Sequence, residues 1–149
     1  MTDPVEHPPH YTSHTSGLEC ISITRGLTFT VGNAVKYIWR HEAKNGVEDL
    51  KKARWYLRDA IAHDDPIFPS HEYRQLVSDN LRRVLDHESG LRHSFFMAID
   101  DLDLDWALDV VQGLIDEARG VPPRNDGDGI VAALTPVRTV PSFQNGGDR

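Results

Sequence analysis

The stretch "GNAVKYIWRHEAKNGVEDLKKARWYL", residues 32–57, decides the fold because two helical patterns meet in it at an Asn-Gly pair. Asn45-Gly46 is typical of a helix stop followed by a tight turn. The pattern therefore predicts one helix over residues 30–44 and a second over residues 47–63, joined as a helical hairpin. The second helix has an apolar stripe at helical spacing, formed by Leu50, Ala53, Leu57, Ala60 and Ile61.

Segments on both sides of this hairpin complete an all-α prediction. Residues 1–17 contain three prolines and predict an extended or turn-rich arm, in which Pro8-Pro9 argues against a helix. Residues 18–63 form the predicted helical domain with the basic hairpin, and residues 71–119 form a further helical segment that packs on it. Residues 120–149 are rich in Gly, Pro and Asn and predict a mostly disordered tail. We expect a small domain of about five or six helices with a hairpin core.

The composition narrows the class of protein. The chain has 149 residues, 39% hydrophobic and 26% charged, which is typical of one soluble globular domain. The single cysteine, Cys20, allows no disulfide within the chain, and we find neither a signal peptide nor an apolar run long enough to span a membrane. These features predict a cytoplasmic protein without a membrane partner. An apolar stripe over residues 106–118 predicts a homo-oligomer.

Positive charge is concentrated in the hairpin of an otherwise acidic chain. The formal net charge is −7, yet residues 36–58 contain seven Lys or Arg and only three Asp or Glu. The acidic balance argues against a general nucleic-acid coat, so nucleic acid is not the expected partner. The local surplus of cations therefore needs a separate explanation.

Five polar side chains of the first hairpin helix fall within an arc of about 100°. They are Asn33, Lys36, Tyr37, Arg40 and Lys44. Lys and Arg bind phosphate oxygens, Asn reads a base or sugar edge, and Tyr supplies a stacking plane. Gly32 lies near the predicted helix start, where free backbone N–H groups favour phosphate. The alternative is an ordinary solvated face of an amphipathic helix.

The second hairpin helix has polar residues that can widen such an anion site. Lys51, Arg54 and Arg58 lie on one flank, and Asp49, Lys52 and Tyr56 lie across from them. A basic flank that faces the first helix would add to the anion site. Pairing of these cations with surface acids, at little gain in energy, is the alternative.

The arm contains histidines without a metal motif. Histidine pairs that bind a metal on a helix use i,i+4 spacing, but Pro8-Pro9 argues against a helix around His7, His10 and His14, and no Cys pair joins them in a zinc site. The arm is expected either to be ordered, with His10 and Tyr11 closing over a ligand, or to be a floppy terminus. The chain has no P-loop, dinucleotide-binding or G-x-S-x-G motif, so any phosphate chemistry uses a different site.

Several of these segments together resemble a known family. "HPPHYTSH", "GLECI", "GNAVKYIWR" and "LKKARWYL" are similar to the motifs of small tailed-phage proteins that share a domain of unknown function. Some members are described as phage nucleotide kinases that act on deoxynucleoside monophosphates without a P-loop. The resemblance covers about residues 7–62. The insertion "TSHTSG" lengthens the arm, and residues 64–149 resemble nothing in the family.

By matching position, the resemblance implies a nucleotide site in the bacterial host cytoplasm. Together with Lys44 from the polar face, the expected ligand-binding residues are His7, His10, Tyr11, Gly32, Asn33, Lys36, Tyr37, Arg40, Lys51, Lys52 and Tyr56. The expected catalytic residues are Lys36, Arg40 and Asp49. Glu19 and Asp49 are the candidates to hold Mg²⁺ through water, since magnesium keeps several waters and few carboxylates.

Three functions remain open from the sequence. The first is phosphoryl transfer between nucleotides, in which the cations clamp phosphates and a metal bridges them. The second is a sponge or sensor that binds a nucleotide without turnover and needs no metal carboxylate. The third is a helical adaptor whose basic strip meets an acidic host protein.

Overall fold

The computed structural model of this protein describes residues 3–122, which form seven helices and no strands. The all-α prediction is therefore confirmed for this part of the chain. In chain order the helices are α1 (Pro9–Thr12), α2 (Ile21–Thr24), α3 (Phe29–Arg40), α4 (Val47–Ala62), α5 (His71–Asp86), α6 (Gly90–Asp100) and α7 (Leu104–Ala118). No helix within residues 3–122 is long and apolar enough to cross a membrane. The predicted disordered tail lies outside the described residues from position 123 onwards.

The helices of the hairpin, α3 and α4, pack against each other along their buried stripes. Gly46 has a φ of +53°, and its N–H donates to the carbonyl of His41 at 2.8 Å. The chain reverses over residues 41–46 to form this bond, so α3 ends at Arg40 and the prediction of a helix through Lys44 is wrong. Lys44 therefore lies in the turn and not on the polar face of α3.

One hydrophobic core joins the two halves of the chain. Ile38 of α3, Leu57 of α4, Phe95 of α6 and Ile115 of α7 are all fully buried in it. Each such side chain contributes about 1.5–3 kcal/mol relative to leaving it exposed. Because α7 packs against both α4 and α6, its apolar stripe is buried inside the chain. The stripe therefore gives no support for self-association, and the homo-oligomer stays a prediction.

The arm contains a helical turn, α1, so the expectation that the arm holds no helix is wrong, and the described residues form seven helices where about five or six were expected. Pro9 is the first residue of α1, where its fixed φ fits a helix and its missing N–H costs nothing. The carbonyl of Tyr11 accepts hydrogen bonds from Trp39 Nε1 and from the backbone N–H of Cys20, both at 3.1 Å. These bonds fix the arm on α3. Burial raises the pKa of the Cys20 thiol to about 12, which makes it a packing residue.

A buried polar network fastens the second half of the chain to the arm and to α3. Glu88 accepts a hydrogen bond from Arg92 Nη2 at 2.7 Å, and its Oε1 lies 2.8 Å from His14 Nε2. Arg92 Nη1 also donates to the carbonyl of Ile38 at 2.6 Å. Burial would raise the pKa of Glu88, but Arg92 and His14 outweigh it and lower the pKa. Glu88 is therefore ionised at neutral pH and paired on both sides.

Candidate functional site

Three cationic side chains converge on the ring of Tyr37 in α3. Lys36 Nζ lies 4.5 Å, Arg40 Cζ 4.8 Å and Lys52 Nζ 5.5 Å from the ring centroid. The ring of Tyr56 stacks beside it, with centroids 6.0 Å apart and an interplanar angle of 21°. The hairpin brings these groups together because each helix contributes side chains one turn apart, from two facing surfaces. We refer to Lys36, Tyr37, Arg40, Lys52 and Tyr56 as the Tyr37 cluster.

The two lysines of the Tyr37 cluster differ in how their charge is compensated. Lys52 Nζ lies 3.0 Å from Glu48 Oε1, one turn earlier on α4. Lys36 Nζ instead donates to the amide oxygen of Asn33 at 2.9 Å and forms no ion pair with any described residue. An ammonium held by an amide keeps its full positive charge for an anion. Lys36 is therefore the cation of this cluster that is most available to a ligand.

Arg40 is a structural member of the cluster, whereas the sequence predicted an exposed phosphate clamp. Its Nε and Nη2 atoms each lie 3.1 Å from an oxygen of Asp49, and its Nη1 donates to Tyr11 Oη at 2.8 Å. The Asp49 side chain is 0% exposed, and Arg40 is buried. Burial would raise the pKa of Asp49, but the hydrogen bonds and charge of Arg40 outweigh it and lower the pKa. The ionised pair therefore holds α3, α4 and the arm together.

The arm brings His10 to the edge of the Tyr37 cluster. Its ring centroid lies 4.2 Å from that of Tyr11, at an interplanar angle of 58°. Partial burial, together with the charges of Lys44 and Arg40, lowers the pKa of His10. His10 is therefore neutral at pH 7 and can offer a hydrogen bond or a ring face without adding charge. Lys44 lies close enough to act on it although it has left α3.

Gly32 and Asn33 do not occupy the positions predicted for them. Because α3 begins at Phe29 with Thr28 as its N-cap, the N–H of Gly32 already donates to the Thr28 carbonyl at 2.8 Å. The predicted backbone anion site is therefore absent from this position. Asn33 Nδ2 donates to the carbonyl of Phe29 at 2.9 Å, and its oxygen accepts from Lys36. Asn33 orients the lysine and does not stand free to read a base.

The residues present do not fit the predicted Mg²⁺ site. Both oxygens of Asp49 bond to Arg40, so a metal ion there would lie beside a guanidinium cation. Glu19 is paired with His7 instead, with Nδ1 of the histidine 3.0 Å from Oε1. Within residues 3–122 no group of three or more His, Cys, Asp or Glu is placed to hold a metal ion. Binding of Mg²⁺ together with a nucleotide's own phosphates stays a prediction.

Aromatic rings continue the cluster along the surface of the hairpin. The ring of Tyr56 makes edge contacts with Phe29, at 6.3 Å between centroids, and with Trp55, at 5.0 Å. Phe29 is 78% exposed and Trp55 60%. We refer to Phe29, Trp55 and Tyr56 as the aromatic strip. Sequence reasoning missed Phe29 and Trp55, although a signal existed: Trp55 lies one helical turn from the exposed cations Lys51 and Arg58 and not on the apolar stripe.

Two cavities lie away from this surface. One, of about 720 Å³, is formed by the acidic segments that follow α4 and α6. The other, of about 440 Å³, lies between the arm and the α5–α6 connection and includes His10 and Arg92. Neither is lined by Lys36 or Lys52. The candidate site is therefore an open surface of the hairpin that meets the second cavity only at His10.

A family comparison covers this candidate site. Residues 5–58 match a family described as proteins of unknown function, DUF3310, so a domain of that kind is present in this range. The range contains the arm, the Tyr37 cluster, Asp49 and the aromatic strip. No curated protein and no solved structure matches the chain. The candidate site therefore lies within this domain, and its chemistry is the basis for a function.

Proposed function

We propose that the Tyr37 cluster binds the phosphate groups of a nucleotide. The observation that supports this proposal is Lys36, whose Nζ lies 4.5 Å from the ring centroid of Tyr37 and which lacks a carboxylate partner among the described residues. Arg40 and Lys52 lie beside the same ring but are paired with Asp49 and Glu48, so Lys36 carries the uncompensated charge that an anion would neutralise. A charge-assisted hydrogen bond from such a group contributes about 1.5–3 kcal/mol.

A nucleotide fits this surface better than inorganic phosphate because aromatic rings adjoin the cations. Lys36 and Lys52 would contact phosphate oxygens, and the neutral His10 would close one side of the site. The ring of Tyr37 already contacts Tyr56 and the cations, so a base has more room on the neighbouring rings of the aromatic strip. The base would therefore stack beside the cluster and not on Tyr37 itself.

Binding without turnover is the function that the geometry favours. Asp49, the carboxylate predicted for metal binding and catalysis, is buried and paired with Arg40. Phosphoryl transfer needs a metal or cation clamp on the transferred group together with an oriented acceptor. The nucleotide kinase activity implied by the resemblance stays a prediction that the experiment below tests, and a setting in phage nucleotide metabolism also stays a prediction.

The test is a titration of a panel of ribo- and deoxynucleoside mono-, di- and triphosphates by calorimetry, with and without Mg²⁺. Lys36→Ala and Lys52→Ala should each weaken binding about ten- to a hundredfold, which corresponds to one charge-assisted contact. Product formation is followed in parallel by ³¹P NMR with a triphosphate donor and a monophosphate acceptor. Transfer of a phosphoryl group would show that the protein is a kinase and would contradict binding without turnover.

Lys51→Ala is the matched control, because Lys51 is the neighbouring lysine on α4 and is exposed away from the Tyr37 ring. Arg82→Ala on α5 controls for a general loss of positive charge, since its side chain is 73% exposed. Both variants should bind a mononucleotide like the parent protein. Equal affinity of the Lys36→Ala variant and the parent for every nucleotide of the panel would refute the proposal.

A further inference from the structure

The surface of the α3–α4 hairpin extends beyond a site for one nucleotide. We propose that the aromatic strip, together with the exposed cations Lys51 and Arg58, binds a single-stranded oligonucleotide that passes over the Tyr37 cluster. The inference rests on the proposed function in one respect, since Lys36 and Lys52 would contact one phosphate of the strand. Apart from Tyr56, which the strip and the Tyr37 cluster share, the remaining contacts belong to residues outside the cluster.

Phe29 and Trp55 are two exposed rings on which a base can stack. They are 78% and 60% exposed, and each meets the ring of Tyr56 edge to face, at interplanar angles of 78° and 87°. Two large rings exposed to this extent beside the same tyrosine are typical of a binding surface. Bases offer π faces to such rings without sequence preference, each stack being worth a measurable part of the affinity.

Cations flank the rings on the same helix. Lys51 and Arg58 lie one helical turn before and after Trp55, are exposed, and form no ion pair with any described residue. Along α4 they span about 10 Å at roughly 1.5 Å per residue, which is room for about three nucleotides at the roughly 3.4 Å step of a stacked strand. The strip therefore offers alternate phosphate and base contacts over a short strand.

Charge complementarity favours a nucleic-acid strand over an apolar protein partner. An apolar partner would have to desolvate the lysines and arginine that border the rings, at a cost in free energy. A single strand is favoured over a duplex because the base faces of a duplex are already stacked on one another. The overall charge of −7 argued against a nucleic-acid coat, but the local cations of the hairpin decide this contact.

The experiment is fluorescence anisotropy of a short labelled oligothymidylate titrated with the full chain, at low and at physiological salt. The oligonucleotide should bind more tightly than thymidine monophosphate. Its affinity should fall as the salt concentration rises, because the release of counterions from the strand then gains less entropy. Phe29→Ala and Trp55→Ala should each weaken oligonucleotide binding about five- to 150-fold, the range for the loss of one base stack. Lys51→Ala should weaken it too, while thymidine monophosphate binds the Lys51→Ala variant like the parent.

Tryptophan emission gives an independent readout, because Trp55 is exposed whereas Trp39 and Trp106 are 6% and 7% exposed. The strand should quench the exposed component, and the Trp55→Phe variant should lose this quenching but keep most of the affinity. Leu76→Ala on α5 is the matched control for loss of an exposed apolar side chain, since Leu76 is 61% exposed and lies outside the strip.

Three results would overturn the inference. If the oligonucleotide binds no more tightly than the mononucleotide, or binds Phe29→Ala and Trp55→Ala like the parent, the strip does not bind a single strand. Mononucleotide binding that depends on Lys36 would still support the proposed function. If Phe29→Ala or Trp55→Ala converts a larger species to monomer in sedimentation velocity, a second copy occupies the strip. If neither ligand binds, the inference and the proposed function both fail.

Discussion

Removal of Arg40 should cost far more stability than removal of the other cations of the hairpin. In the Arg40→Ala variant the carboxylate of Asp49, which is 0% exposed in the parent protein, loses both of its hydrogen bonds to the guanidinium. The hydroxyl of Tyr11 loses its donor at the same time. We expect Arg40→Ala to unfold far more readily than Lys36→Ala, although both cations lie on the polar face predicted for α3.

The magnitude follows from the buried carboxylate. Removing one partner of a buried ion pair typically costs about 3–5 kcal/mol, since the other charge is left without a counterion. This is a large part of the roughly 5–15 kcal/mol that stabilises a domain of this size. Replacing both partners with apolar residues, as in Arg40→Met with Asp49→Leu, should restore most of the loss because no buried charge remains. Lys36→Ala should change stability by less than about 1 kcal/mol.

The assay is urea denaturation followed by circular dichroism at pH 7, carried through a double-mutant cycle of the two substitutions. A coupling energy above about 2 kcal/mol is expected, in the range for residues of one network. Because the pKa of Asp49 is lowered in the folded protein, the pair's contribution is full above its unfolded pKa of about 3.9 and is lost as pH falls through the folded pKa. A loss below about 1 kcal/mol for Arg40→Ala would refute this reasoning.

Three further predictions concern the packing around the site. Gly26→Ala should destabilise by about 1–3 kcal/mol in thermal unfolding, because its Cβ would lie 2.5 Å from a valine of α5, whereas Gly32→Ala, whose Cβ has 3.7 Å to its nearest neighbour, should stabilise by about 0.5–1 kcal/mol. Glu88→Gln should cost about 1.5–3 kcal/mol by urea titration at pH 7, with Arg92 left partly uncompensated, and a neutral result would show that the pair adds no net stability. Burial, and then the charge of Arg92, lowers the pKa of His41 in the folded protein. The contribution of the neutral His41 to the free energy of unfolding is therefore full above about pH 6.5 and is lost as pH falls through the folded pKa. His41→Leu should flatten the dependence of the free energy of unfolding on pH between about pH 7 and 5, and an unchanged slope would contradict the assignment.

The helices were predictable where local chemistry alone decides them. Asn45-Gly46 marks the hairpin turn, and the period of apolar residues in α4 and α7 places these helices and their buried faces. The end of α3 was predicted four residues late, because residues 41–44 have no helix-breaking residue and the turn depends on the bond of Gly46 to His41. The turn of helix in the arm was missed because Pro9 was taken as a helix breaker and not as a first residue.

The sequence predicted where the site lies but not which of its residues are structural and which are available to a ligand. A helical wheel places Arg40 beside Lys36, but it does not show that the arm covers Arg40 or that a carboxylate faces it from α4. Long-range contacts of this kind are set by tertiary packing and not by period. The same limit applies to Phe29, which was not predicted as a site residue and which lies exposed at the start of α3.

The seven cations concentrated in residues 36–58 of this acidic chain differ in how their charge is compensated. Among the seven cations of residues 36–58, Arg40 is neutralised by Asp49, Lys52 is paired with Glu48, and Arg54 donates to an amide of α7. The other four form no ion pair with any described residue, although the chain contains 23 Asp and Glu. They are Lys36, Lys44, Lys51 and Arg58. Stability does not require unpaired surface cations, since exposed pairs contribute little to folding. These unpaired cations repel one another, and folding gains nothing from that repulsion. An anion that binds among them removes its cost in free energy, and we therefore assign the surplus of positive charge to a phosphate-bearing ligand.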